Sequence, residues 1–168
     1  MKYILVVGWL VTTMFFGSFE SNAQAVGEEY KCLIQLKNYQ GEGAYIVVSV
    51  VNSKGEYVET LRVLGDDHEW YPDIKSWYAY REKNRHQPRL DGVTGATIGS
   101  GERSVVSLKI DSKYINQGYS LRFETAVEDK NYHMKDVVIE LTSEQLKIGN
   151  YNVKDGYIRQ VRLISLNK

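Results

Sequence analysis

The chain has 168 residues, with 21 basic and 21 acidic side chains and a formal net charge of zero. A neutral whole-molecule field gives no general pull toward nucleic acid or an anionic membrane, so partner choice is left to a local site. A lone cysteine, Cys32, excludes an intramolecular disulfide, and stability has to come from one buried core.

At the N-terminus, Lys2 precedes an apolar run over residues 3–16, and Asn22-Ala23-Gln24-Ala25 ends in the small-x-small pattern that signal peptidase accepts. This predicts a leader over 1–25 and a mature domain over 26–168, exported to the periplasm, or else to the cell surface or medium. The apolar run is shorter than the roughly 20 residues a membrane-spanning helix needs, so no membrane insertion is expected after cleavage. Cys32 follows Glu28-Glu29-Tyr30-Lys31, too polar for a lipid-attachment signal. It alternates with Tyr30, Ile34 and Leu36, which makes it a small buried hydrophobe of a strand.

Period-two alternation recurs over 30–36, 44–51, 57–64, 105–110, 119–127, 137–141 and 157–166. Around 119–127, Tyr119, Leu121, Phe123 and Val127 share one face while Ser120, Arg122 and Glu124 share the other. Such a sheet keeps one face in the core and one in water. Turn residues separate the runs, as in Asn52-Ser53-Lys54-Gly55 and Lys154-Asp155-Gly156. The expectation is an all-β, antiparallel, immunoglobulin-like β-sandwich of about seven strands.

Residues 65–101 interrupt this pattern as a helical and loop insertion, and a connection of that length points to function. A short helix is expected to begin at Pro72, with Ile74, Trp77 and Tyr78 on one face. The aromatics Trp70, Trp77 and Tyr78 suit either a stacking platform for a planar ring cofactor or a seal over the open end of the sandwich. A basic run follows, Arg81, Lys83, Arg85, His86 and Arg89, of which Arg89 is the candidate phosphate ligand. The three histidines are too scattered for a metal site, and no acid–base pair, nucleophile elbow or phosphate loop supplies a catalytic residue.

The insertion ends in Asp91-Gly92-Val93-Thr94-Gly95-Ala96-Thr97. This segment resembles the pattern Asp-(Gly/Ala)-x-(Ser/Thr)-Gly-Ala-(Ser/Thr) recognised by flavin transferases of the ApbE type, and every specified position matches. Chance would supply such a match in roughly one chain in ten thousand of this length. The resemblance implies FMN, delivered from FAD by the transferase, joined through a phosphoester to the Thr97 hydroxyl. Asp91, Gly92, Thr94, Gly95 and Ala96 would form the recognised frame, in which the glycines allow a tight backbone around the acceptor. A broader resemblance spans residues 44–141. The segment 55–61, Leu64-Gly65, Trp70, Asp73, Trp77, the Thr-Gly-Ala-Thr motif, Gly118-Tyr119 and Glu124-Thr125-Ala126 together resemble the predicted periplasmic family called domain of unknown function 2271. That resemblance implies partnership with a flavin transferase and with a PepSY-type or other membrane redox protein.

The resulting expectation is an exported, non-enzymatic electron carrier with covalent FMN on Thr97. Two alternatives stand beside it: a cofactor-free binding or adhesion module using 65–101 as its recognition loop, and a flavin-dependent reductase with a substrate pocket at Trp70, Trp77 and Tyr78.

Overall fold

Nine strands form in the computed structural model, which describes residues 27–84 and 94–166. The expected leader, Asp91, Gly92, Arg85, His86 and Arg89 lie outside the described residues. The seven expected strands are present as β1 (Gly27–Leu36), β2 (Tyr45–Val51), β3 (Tyr57–Leu64), β5 (Arg103–Asp111), β6 (Ser120–Ala126), β7 (Tyr132–Glu140) and β9 (Ile158–Ser165). Two short ones, β4 (Thr94–Gly95) and β8 (Asn150–Asn152), add to them.

The strands make two sheets, ordered β5-β1-β9-β8 and β4-β3-β2-β6-β7. Every pairing is antiparallel except β3 with β4. Alternation sends Tyr30, Cys32, Ile34 and Leu36 from one sheet against Ile46, Val48, Val50, Leu121 and Phe123 from the other, and these form one continuous core. The chain is therefore an all-β sandwich, as its periodicity predicts.

Cys32 lies fully inside this core, and burial pushes its thiol up to about 12.

β2 departs from simple alternation because every one of its residues is buried. Ile46, Val48 and Val50 face the sandwich core, whereas Tyr45 and Val47 enter a second apolar cluster on the opposite face of the sheet. The cover for that second face comes from the insertion. A 3-10 helix (His68–Asp73) and the helix α1 (Lys75–Lys83) bring Tyr71, Ile74 and Trp77 down onto Tyr45, Val47, Val63 and Ala126.

Three expectations change here. The helix does not begin at Pro72: Asp67 caps a 3-10 turn by accepting from the Glu69 N–H, Pro72 sits inside that turn, and α1 starts only at Lys75. Trp77 and its neighbours do not seal an open end of the sandwich but cover the outer face of the five-stranded sheet. Finally, the insertion is not free of strand, since β4 and an isolated bridge between Ala44 and Ile98 tie its end to the sheet.

A second helix, α2 (Ser143–Ile148), also forms within the C-terminal third. Its N-cap is Thr142, which accepts from the Gln145 N–H, and its last turn closes on Gly149 at φ 61°.

The Cys32 environment has a direct consequence for thiol chemistry. A disulfide reagent at mildly alkaline pH should leave the native protein unlabelled and modify the thiol once denaturant is added, since only the thiolate reacts and burial suppresses it. Rapid labelling of the native protein would show that β1 does not stay paired.

Candidate functional site

The motif's second half lies along the edge of the five-stranded sheet. Thr94 and Gly95 pair in parallel with Val63 and Leu64, and the Gly65 N–H donates to the Gly95 carbonyl at 2.5 Å. Three residues on, Ala44 and Ile98 exchange both backbone hydrogen bonds, at 2.7 and 3.2 Å. Ile98 is thereby anchored in the sandwich core. Between these two fastenings, Ala96 is exposed and Thr97 is half-buried.

The Thr97 hydroxyl has no hydrogen-bond partner among the described residues. Its side chain lies directly over Gly43, where an added Cβ would run into both Oγ1 and Cβ of Thr97. Gly43 thus leaves the space that Thr97 occupies although it lies about a third of the chain away in sequence. Nearby, the Tyr39 hydroxyl donates to the carbonyls of Glu42 and Ile98, at 2.9 and 3.3 Å, and fixes the loop that carries Gly43.

Charge around the motif is mixed. Glu128 has its carboxyl pKa raised, first by desolvation and then by Glu42, Asp129, Asp67 and Asp73. Tyr45, next to the Ala44 bridge, is pushed to about 12 by burial first and then by Glu128, Asp67 and Asp66. A cation stands against this acidic rim: Arg62 Nη2 is 3.8 Å from where a Cβ on Gly95 would be. Its Nε is buried without a hydrogen-bond partner among the described residues. Neither Gly43 nor Arg62 is singled out by the sequence, because only the strand pairing brings them to the motif.

The aromatic candidates are placed differently. Trp77 is completely buried; its indole N–H donates to Thr60 Oγ1 at 3.0 Å and its ring meets Tyr71 edge-on at 5.1 Å. Arg81 lies over the Tyr71 and Trp77 rings, 5.3 and 6.0 Å from their centroids. Trp77 therefore has no face to offer a ligand and acts as the anchor of the insertion. Trp70 and Tyr78 are half-buried at the edge of the same cluster.

Beneath α1 lies a dry charged group. Glu124, fully buried, accepts from the Tyr57 and Tyr132 hydroxyls and pairs with buried Arg122 at 3.1 Å. Tyr132 also accepts from the Ser76 N–H at 3.2 Å, and Tyr57 stacks on Tyr80 at 4.8 Å. These contacts bind the insertion to β3, β6 and β7 through one carboxylate.

Fold and site together define a two-sheet β-sandwich that presents a hydroxyl-bearing segment at one sheet edge. The sequence profile of domain of unknown function 2271 (DUF2271), described as a predicted periplasmic protein, matches residues 27–155, and the chain belongs to that family. No curated protein and no solved structure matches it. The family's description puts the chain in the periplasm, and no helix among the described residues is long and apolar enough to cross a membrane.

The Glu124 network generates two predictions. Glu124→Ala should cost about 3–5 kcal/mol in denaturant unfolding, because Arg122 is left buried and unpaired. Alkaline pH should act through the phenols. Burial first, then Glu124, raises Tyr132 from 10.0 to about 12 and shifts Tyr57 the same way. A raised pKa makes their contribution complete below pH 10 and lost as pH climbs through about 12. A melting temperature that falls across this window in wild type, and less in Tyr132→Phe, is the expected result.

Proposed function

We propose that the protein is a periplasmic redox carrier with FMN attached through a phosphoester to Thr97. The observation that carries this reading is the state of Thr97: a half-buried side chain whose hydroxyl has no hydrogen-bond partner among the described residues and lies over a glycine, where a larger residue would crowd it. A phosphoester needs an alcohol that can be reached and is not already engaged. Ala96, exposed and small, keeps the approach clear. The motif resemblance supplies the donor, FAD, and the enzyme, an ApbE-type transferase. In the transfer, a bond forms between Thr97 Oγ1 and the flavin-side phosphorus as the pyrophosphate bond breaks. AMP leaves, and the hydroxyl proton passes to the transferase's base.

When bound, the flavin supplies reversible electron transfer, and the chain's own residues position it. Two fastenings, at Gly95 and at Ile98, hold the acceptor in a fixed backbone frame. Arg62 would neutralise the phosphoester charge, which the acidic rim of Glu42, Asp66, Asp67 and Glu128 would otherwise repel. An electron donor such as a PepSY-type membrane protein would meet the flavin at this sheet edge.

The reductase alternative required a pocket at Trp70, Trp77 and Tyr78, and the burial of Trp77 removes its central wall. The cofactor-free binding module is distinguished by experiment. The mature protein, co-expressed with an ApbE-type transferase and supplied with FAD, should gain the mass of one FMN less water and become yellow. Thr97→Ala should abolish the gain, and Gly43→Ala should slow it by crowding the hydroxyl. Unmodified wild-type protein beside a labelled positive control would overturn the proposal, as would undiminished labelling of Thr97→Ala.

A further inference from the structure

The insertion covers only part of the outer face of the five-stranded sheet. Beyond it, toward the β2–β3 turn, the face opens into a cavity of about 480 Å³. Val51 and Val138 contribute apolar surface, and Lys54, Lys135, Arg122 and Glu140 supply the charges.

Topology brings the cations together. Strand order sets β6, with Arg122, between β2 and β7, so Lys54 on the β2–β3 turn and Lys135 on β7 approach from opposite sides. The placement of Lys135 depends on a break in pairing. Register shifts between Phe123 and Thr125, which leaves the consecutive residues Asp136 and Val137 both buried and Lys135 exposed on the cavity. Bulges are a usual means of re-aiming a side chain next to a site.

Neither lysine makes an ion pair among the described residues. Arg122 is 1% exposed and lines the cavity. Two of its nitrogens are committed, Nη1 to the Gly55 carbonyl at 3.0 Å and Nη2 to Glu124 at 3.1 Å. Its Nε–H is buried with no hydrogen-bond partner among the described residues. So is the hydroxyl of Ser49, the cross-strand neighbour of Arg122. Buried donors without partners are rare and call for an explanation.

We infer that this cavity binds a small organic monocarboxylate, its carboxylate between Lys54 and Lys135 and its apolar part over Val51 and Val138. Charge selects the class. With Arg122 neutralised by Glu124, the two lysines against Glu140 leave an excess of one positive charge, which matches a monoanion. The Arg122 guanidinium, a lining residue of the cavity, adds positive potential to the wall behind the carboxylate. The site lies at the far end of β2 from the Ala44–Ile98 bridge, so the inference stands whether or not Thr97 carries a flavin.

Titration of the isotopically labelled mature protein with sodium lactate, followed by backbone amide resonances, tests it. Saturable shifts are expected at residues 52–55, 118–122 and 135–140, with no response to lactamide or to sodium chloride at matched ionic strength. The Lys54→Ala/Lys135→Ala variant alters only exposed side chains, so it should fold as wild type and bind at least about tenfold more weakly, the scale of one lost charge-assisted hydrogen bond. Lack of saturation, an equal response to lactamide or salt, or unchanged affinity in the double variant would overturn the inference.

Discussion

β2 has no solvent face, and the arrangement of the five-stranded sheet follows from that. A strand buried on both sides needs two apolar surfaces against it. The four-stranded sheet supplies the first, through Ile34, Leu36 and their neighbours. The second must come from elsewhere in the chain, and residues 68–83 provide it with Tyr71, Ile74 and Trp77. Burial of such side chains contributes about 1.5–3 kcal/mol each, comparable to a sizeable share of a domain's net stability. The long insertion is thus a layer of the fold before it is anything else. Its hydrophobic contacts are non-directional, however, and position is fixed by polar ones: Trp77 to Thr60, Ser76 to Tyr132, and Tyr132 with Tyr57 to Glu124. A carboxylate this dry is tolerated only because Arg122 and two phenols satisfy it.

The same layer reaches the motif. Tyr71, held in the second cluster, donates through its hydroxyl to the Gly65 carbonyl at 3.0 Å. On its other side, Gly65 donates its N–H to Gly95. One residue therefore links the cover of the sheet to the segment that bears Thr97. Gly65 is suited to this by its φ of 127° and by the Tyr45 ring, which occupies the space a side chain would need. Packing of the insertion and placement of the Thr97 segment are parts of one structure.

The seven longer strands are legible in the sequence because alternation is a local signal, and each run from 30–36 to 157–166 overlaps a strand, although β7 begins at Tyr132, five residues before its run. What escaped detection depends on distant partners. β4 is two residues long, and only pairing with Val63 and Leu64 makes it a strand. Trp77 reads equally as a ligand platform or as a packing anchor until the second face of β2 is seen to need cover. Gly43 and Arg62 carry no pattern that connects them with residues 94–97. α2 is a different case, since Thr142 three residues before Gln145 and Gly149 at the close are local cap signals that could have been read. Its six residues are too few to show a helical period, and the neighbouring strand alternation obscured them.

Zero net charge hides two opposite fields. At one end of β2, Asp66, Asp67 and Glu128 act on Tyr45 and Glu42 on Glu128, while Arg62 lies beside Gly95. At the other, Lys54 and Lys135 flank Arg122. Seven residues of strand at about 3.3 Å each separate the ends by roughly 20 Å, whereas charges at physiological salt are screened over about 8 Å. The two fields therefore act almost independently, and each end of the sheet answers to its own surroundings. Composition alone does not reveal this separation.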